Sequence, residues 1–281
     1  MAQNLQQLKK RIKTSDSIFK IAKAMEMVST SKIRKAQSSV DKYNPYAEKI
    51  RRILQRIVAN KDLLNKMEKF AKEIEGKRLV YIICPDRGFV GGLIVNLFKK
   101  ANSYLNPSDY VIAVGKKALA DATWYNHNVI ASFDMGTNFP KHDDLYPMID
   151  IAKQFYLSGE VVKISVIYAK FKNILVQDPV VEEIFPVKQD GVLSETEIEY
   201  IFEPSSQQVL KDLFPFYFEI EFYNALVNAY ASEQAARMIA MKKAKDNAND
   251  ISETLTSIYN KSRQERITNE ILDLANGRQG I

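Results

Sequence analysis

From Phe216 to Asn276 the chain contains neither glycine nor proline. Such a stretch can stay helical throughout, because nothing in it frees the backbone or removes a main-chain donor. At about 1.5 Å per residue the rear helix would reach on the order of 90 to 100 Å, further than one ordinary domain can bury it. The front of the chain matches this pattern, with no glycine and a single proline, Pro45, between Met1 and Glu75. All ten glycines except Gly277 and Gly280 lie between Gly76 and Gly191, so turns concentrate in the middle of the chain.

The front helix carries a seam. Leu5, Leu8, Ile12, Phe19, Ala22, Ser29, Ile33, Ala36 and Val40 alternate three and four apart, with Ser15 and Glu26 as polar interruptions. That period winds two helices around each other. Ile18, Ile21, Met25 and Val28 form a second stripe that broadens the apolar face. The rear answers with Phe216, Ile220, Tyr223, Val227, Tyr230, Gln234, Met238 and Met241, then Ala248, Ile251, Leu255 and Ile258. Alanines between them, such as Ala236, Ala240 and Ala244, favour helix and permit close approach. Both helices leave the same central region, so the economical arrangement is an antiparallel pair.

The middle alternates short β-rich runs with helical ones. RLVYIIC (78–84), DYVIAVG (109–115) and VIASF (129–133) read as strands, with GGLIVNLFKKANSYL and KKALADATWYN as helices between them. After the helix DLYPMIDIAKQFYLSG, the alternating runs VKISVIYAKF and ILVQDPVVEEIFPV look like a hairpin appended to a mainly parallel sheet. The expected fold is therefore a long antiparallel coiled coil of the terminal helices plus a central Rossmann-like α/β domain. Its divisions are a coiled-coil helix over 1–58, a helical linker over 59–76, the α/β domain over 77–204 and a second coiled-coil helix over 205–281.

Charge is uneven. Residues 1–58 hold 14 Lys/Arg against 4 Asp/Glu, whereas the whole 281-residue chain is only +6. A front helix so basic seeks an acidic partner, which could be nucleic acid, anionic lipid or acidic protein loops, or else it is a solvated face. The longest apolar runs, such as Leu79 to Cys84, fall far short of the roughly 20 residues needed to cross a membrane. The N-terminus lacks the apolar block of a secretory signal, so the chain is expected to stay in the compartment where it is made. One cysteine, Cys84, with His127 and His142, builds neither a disulfide framework nor a typical zinc cluster.

An α/β body invites an enzyme reading, and PDRGFVGGLI (85–94) is where to test it. A strand ends, glycines follow and a helix begins, which is the geometry for holding phosphate on free backbone N–H groups. The spacing is wrong, however: Gly88, Gly91 and Gly92 do not make G-x-G-x-x-G, and the next strand ends AVG rather than in an acid. No G-x-x-x-x-G-K-[ST] loop and no G-x-S-x-G elbow is present. The expectation is a tight structural turn, fixed locally by Asp86 and Arg87.

KIAKAMEMVSTSKIRKAQ (20–37), PDRGFVGGL, YIFEPSSQQVL (200–210), ASEQAARMIAMKKAKDNANDI and YNKSRQERITNEI together resemble the γ subunit of F-type ATP synthases, in the family's order and over almost the whole chain. Phe89 and Val90 stand where the family usually shows Leu and Cys, and Glu265 and Arg266 where small residues are common. The resemblance implies a rotor shaft whose helical pair turns inside a hexamer of α and β subunits, with an ε subunit and a membrane rotor ring as further partners and no nucleic acid. It implies no catalytic residue and no cofactor in this chain, Mg-ATP being held by partner subunits. It implies a peripheral location on the cytoplasmic face of the bacterial membrane. By motif, Met25, Arg263, Gln264 and Thr268 resemble residues that touch the β subunits. Ile267, Ile271, Leu272 and Leu274 would sit in an apolar collar at the tip, and Tyr200 and Glu203 would touch the ring. A γ-like shaft of a paralogous rotary ATPase, a basic coiled coil binding nucleic acid, and an α/β enzyme with helical arms are the alternatives.

Overall fold

The computed structural model describes residues 5–59, 76–187, 203 and 206–277. The chain divides into two compact units, Thr30–Ala236 and Met1–Ser29 with Arg237–Ile281. Helix α1 spans Leu5–Ala59 and helix α5 spans Ser206–Gly277, so each contributes to both units. α1 continues through Pro45 although proline removes a main-chain donor and ordinarily kinks or ends a helix. Packing on either side compensates: Tyr43 meets Tyr223 edge-on at 4.8 Å and Ala47 is buried. Of the helical linker expected over 59–76, Ala59 closes α1, and residues 60–75 lie outside the described residues.

The larger unit is built on five strands: β1 Arg78–Ile83, β2 Tyr110–Val114, β3 Asn128–Phe133, β4 Lys163–Phe171 and β5 Gln177–Phe185. Their order is β3-β2-β1-β4-β5. The first four are parallel and β5 runs antiparallel beside β4, so the doubly wound sheet with an appended hairpin is as expected. Helices α2 Leu93–Tyr104, α3 Lys116–Trp124 and α4 Tyr146–Leu157 connect them. The α4 segment opens with a 3-10 turn, His142–Leu145, before Pro147 fixes the first helical turn.

Alternation along β1 separates two cores. Val80, Ile82 and Cys84 join Leu93 and Leu97 of α2 and Ala118 and Ala122 of α3 on one face. On the other, Leu79, Tyr81 and Ile83 meet Met148 and Ile149 of α4, together with the terminal helices: Ile33, Ala36 and Val40 from α1, Phe218 and Phe222 from α5. Tyr81 lies edge-on to Phe222 at 4.8 Å and donates its hydroxyl to Met148 O at 2.7 Å. Burial pushes that phenol far above the usual tyrosine range, so it stays a donor.

Polar groups fix how α1 and α5 lie on this face. Arg51 donates to both oxygens of Glu221, Nε to Oε1 at 3.0 Å and Nη2 to Oε2 at 2.5 Å. Nearby, Asn228 donates to Asn44 Oδ1 at 3.3 Å. Burial raises the Glu221 carboxyl above its ordinary value, and the Arg51 hydrogen bond opposes that shift. R51M would leave a buried carboxylate without its cation and is expected to cost about 3 to 5 kcal/mol, with R51M/E221L recovering most of the loss. A carboxyl whose folded-state pKa is raised stabilises the fold at low pH and loses that contribution as pH rises through it. R51M should therefore gain stability relative to the parent between pH 7 and pH 5 in urea titrations.

Candidate functional site: the sheet edge and the paired helices

A doubly wound sheet holds ligands outside the carboxyl ends of its strands, where the strand order reverses. Here that crevice lies beyond β1 and β4, and α5 fills it. Ser232 is buried and donates to Ala169 O near the end of β4 at 2.8 Å. Ala236 packs among Ile82, Cys84, Ile167 and Ala169.

The PDRGFVGGL turn, expected to be fixed locally by Asp86 and Arg87, is tied to other loops by long-range contacts of Asp86. Asp86 Oδ1 accepts from Lys116 N at 2.8 Å and Met135 N at 3.3 Å, and its Oδ2 accepts from Gly136 N at 2.8 Å. One carboxylate thereby ties the loop after β1 to those after β2 and β3. Gly115, at the end of AVG, has φ +104°, and a Cβ there would stand 1.8 Å from Cys84 O. Gly91, with φ +57°, supplies the second left-handed residue of the turn. Phe89 is mostly exposed with φ 61°, uncommon for a bulky residue, whereas Val90 is buried in the core. Cys84 is buried and its thiol is pushed well up by desolvation, so it is no nucleophile.

The histidines are structural. His142 shares a 2.7 Å hydrogen bond with Tyr43 Oη and stacks on Tyr223 at 3.9 Å, and His127 meets Asn102 Oδ1 at 2.8 Å. Among the described residues no cluster of His, Cys, Asp or Glu could hold a metal ion.

In the smaller unit α1 and α5 are antiparallel: as the α1 position rises from Asp16 to Glu26, its α5 partner falls from Ser252 to Lys245. Leu8, Ser15, Ala22 and Ser29 are buried, a seven-residue repeat, with Ile12, Phe19 and Glu26 half-buried between them. Facing them on α5 are Met241, Lys245, Ala248, Ser252, Leu255 and Tyr259. Ile251 and Ile258, expected in this seam, point outward instead; Ser252 and Tyr259 turn inward beside them, and Lys245 stands between Met241 and Ala248. The second front stripe also differs from expectation. Ile21 and Val28 are 61% and 55% exposed, Ile18 lines an open groove with Lys10, Arg11 and Ile251, and Met25 is half-buried. The alanine- and serine-rich seam is narrow enough to close without these side chains, which leaves a basic and apolar outer surface.

Beyond Ser262 every described side chain of α5 whose burial is recorded is exposed, including Arg263, Gln264 and Thr268, the Arg266–Glu270 pair, and the apolar Ile267, Ile271, Leu272 and Leu274. No described residue of the front helix covers them. Glu203 is exposed, and Tyr200 lies outside the described residues.

A sequence-family profile described as ATP synthase matches residues 4–281. The ATP synthase gamma chain of Dehalococcoides mccartyi strain CBDB1 is 34% identical over 278 residues, 98% of each chain. That of Cytophaga hutchinsonii is 34% identical over 294 aligned positions, 99% of each. A chain in the cryo-EM structure of the Euglena gracilis mitochondrial ATP synthase, OSCP/F1/c-ring in rotational state 3, shares the fold with TM-score 0.70 at 18% identity, covering 98% of this chain and 93% of that one. A chain of the Tetrahymena thermophila central stalk and c-ring structure gives TM-score 0.61 at 24% identity, covering 80% and 99%. With paired antiparallel terminal helices and a mainly parallel five-stranded sheet, the chain shares its fold with chains of those central-stalk and F1 structures. Within that fold class, the chain belongs to the ATP synthase gamma chain family.

Gly115→Ala is expected to destabilise the chain by at least about 2 kcal/mol, since a backbone oxygen must move. Gly88→Ala, with nothing within 4 Å of its added Cβ, should stay within about 1 kcal/mol of the parent. Equal urea midpoints for the two variants would show that the close approach to Cys84 O does not fix this edge.

Proposed function

We propose that this chain is the central rotor shaft of an F-type ATP synthase, coupling rotation driven by ion flow to conformational change in catalytic β subunits, or the reverse during ATP hydrolysis. The observation that carries this reading is the pair itself: its narrow seam leaves Ile18, Ile21, Val28, Ile251 and Ile258 outside, and α5 is exposed all round from Arg263 to Leu274. A helical pair that keeps apolar side chains outward is completed by other subunits. The gamma chain relatives and the central-stalk neighbours support the same assignment.

In this reading the pair stands inside a hexamer of α and β subunits, one copy per hexamer, with an ε subunit and a membrane rotor ring at the α/β domain. Met25, Arg263, Gln264 and Thr268 meet the β subunits, and the basic front helix faces their acidic loops. Ile267, Ile271, Leu272 and Leu274 form a tip bearing in which apolar contacts, having little directionality, keep rotational barriers low. Tyr200 and Glu203 contact the ring. The chain is non-catalytic, and Mg-ATP is bound by the partners. A lopsided shaft makes each β subunit meet a different face, so its angle biases each pocket towards open or closed. The chain works peripherally at the cytoplasmic face of the bacterial membrane. Among the described residues no helix is long and apolar enough to cross it.

Two measurements test this reading. Co-expression with α and β partners should yield a complex holding one copy of this chain per hexamer; a stable, fully active complex from which its helices are absent would sink the proposal. Arg263→Glu should lower coupled ATP turnover while changing unfolding free energy by no more than about 0.5 kcal/mol, as an exposed side chain should. Intact turnover with a lowered unfolding midpoint would make the position structural only.

A further inference from the structure

Ser15 and Glu26 break the apolar seam of α1. Both turn inward. Ser15 is buried, and its hydroxyl donates to the main-chain carbonyl of Ala248 at 2.7 Å. A side chain as short as serine reaches a partner helix's backbone only where the two helices lie very close, which the small residues Ala22, Ser29 and Ala248 allow. Glu26 Oε2 accepts from Lys245 Nζ at 2.8 Å, and both side chains are about four-fifths buried. Asp246 lies 3.7 Å from the same ammonium, and Asp16 Oδ1 accepts from Ser252 Oγ at 2.7 Å further along.

Twisting a two-helix rod makes its strands slide along each other. Large side chains interlocked as knobs in holes resist sliding by shape. Where the buried positions are small, as at Ser15, Ala22, Ser29 and Ala248, there is little shape to interlock, and other contacts must resist sliding. Hydrogen bonds are directional and weaken steeply once displaced. A polar group in an otherwise apolar seam is a known way of fixing which residues face each other.

We infer that Ser15, Glu26 and Lys245 are positioning residues that pin the two helices against sliding, so that twist entering one helix is passed to the other. The pins act at the ends of a stretch from Ser15 to Glu26, with the half-buried Phe19 and the small Ala22 between them. Their contribution to motor action rests on the shaft reading above, but the pinning itself is a property of this chain alone.

The test uses the full chain with Cys84→Ala, spin labels on Lys20→Cys and Asp250→Cys, and pulsed electron resonance to read the distance distribution between helices. Both label positions are exposed. The parent should give one narrow distribution. S15A/E26M/K245M should broaden it, while helicity and melting temperature remain at or above the parent's, because burying apolar side chains in place of an ion pair does not weaken the packing. The charge swap E26K/K245E should restore most of the narrowness. A triple variant as narrow as the parent overturns the pins, whatever its activity. A broadened distribution with unchanged coupled turnover in the complex with α and β subunits leaves the pins standing and counts against the shaft reading.

Discussion

The sheet needs cover on both faces, and everything else in the larger unit follows from that constraint. β1 is apolar on both sides, and a parallel strand in that condition is stable only between two layers. The connections between strands supply α2 and α3 to one face and only the short α4 to the other. The remaining area is covered by α1 and α5, whose residues around Ile33 to Leu54 and Tyr217 to Tyr230 are core residues of the α/β domain. The terminal helices are thus structural members of the sheet's own core, tied to each other there by Arg51–Glu221 and Asn44–Asn228.

The same packing removes the chemistry that such a sheet usually hosts. Ser232 and Ala236 occupy the ground beyond β1 and β4 where a phosphate would sit. Asp86, just after β1, has its oxygens committed to three main-chain amides. Gly115 permits a backbone contact with Cys84, so this glycine serves main-chain packing. Evolution of a ligand site here would first require displacing a helix that the core depends on.

Much of this was readable in the residues. Periodicity placed both terminal helices, the strand order of events placed the sheet, and heptad spacing from Leu8 to Val40 picked out the buried side of α1. The seam of α5 was harder. Ile251 and Ile258 are the more hydrophobic choices, yet Lys245 and Ser252 face inward, because Glu26 and Asp16 stand opposite them. A one-chain pattern scores each side chain by its own polarity, whereas burial of a lysine depends on the acid across the interface. Asp86 was picked out as a turn residue, but its long-range partners were hidden for a similar reason, since they lie 30 and about 50 positions away.

By itself, then, the amino-acid order determined what local rules govern: where helix could run uninterrupted, where strands alternate, and that neither glycines nor histidines stand in catalytic spacing. These depend on backbone freedom and on residues a few positions apart. Only the tertiary structure decided which face of each helix turns inward, that α5 closes the crevice of the sheet, and that Ser15 and Glu26 are contacts between helices. Those outcomes depend on pairing between groups far apart in the chain, from 63 positions for Ser232 with Ala169 to 233 for Ser15 with Ala248, whose free energies exist only once both are in place.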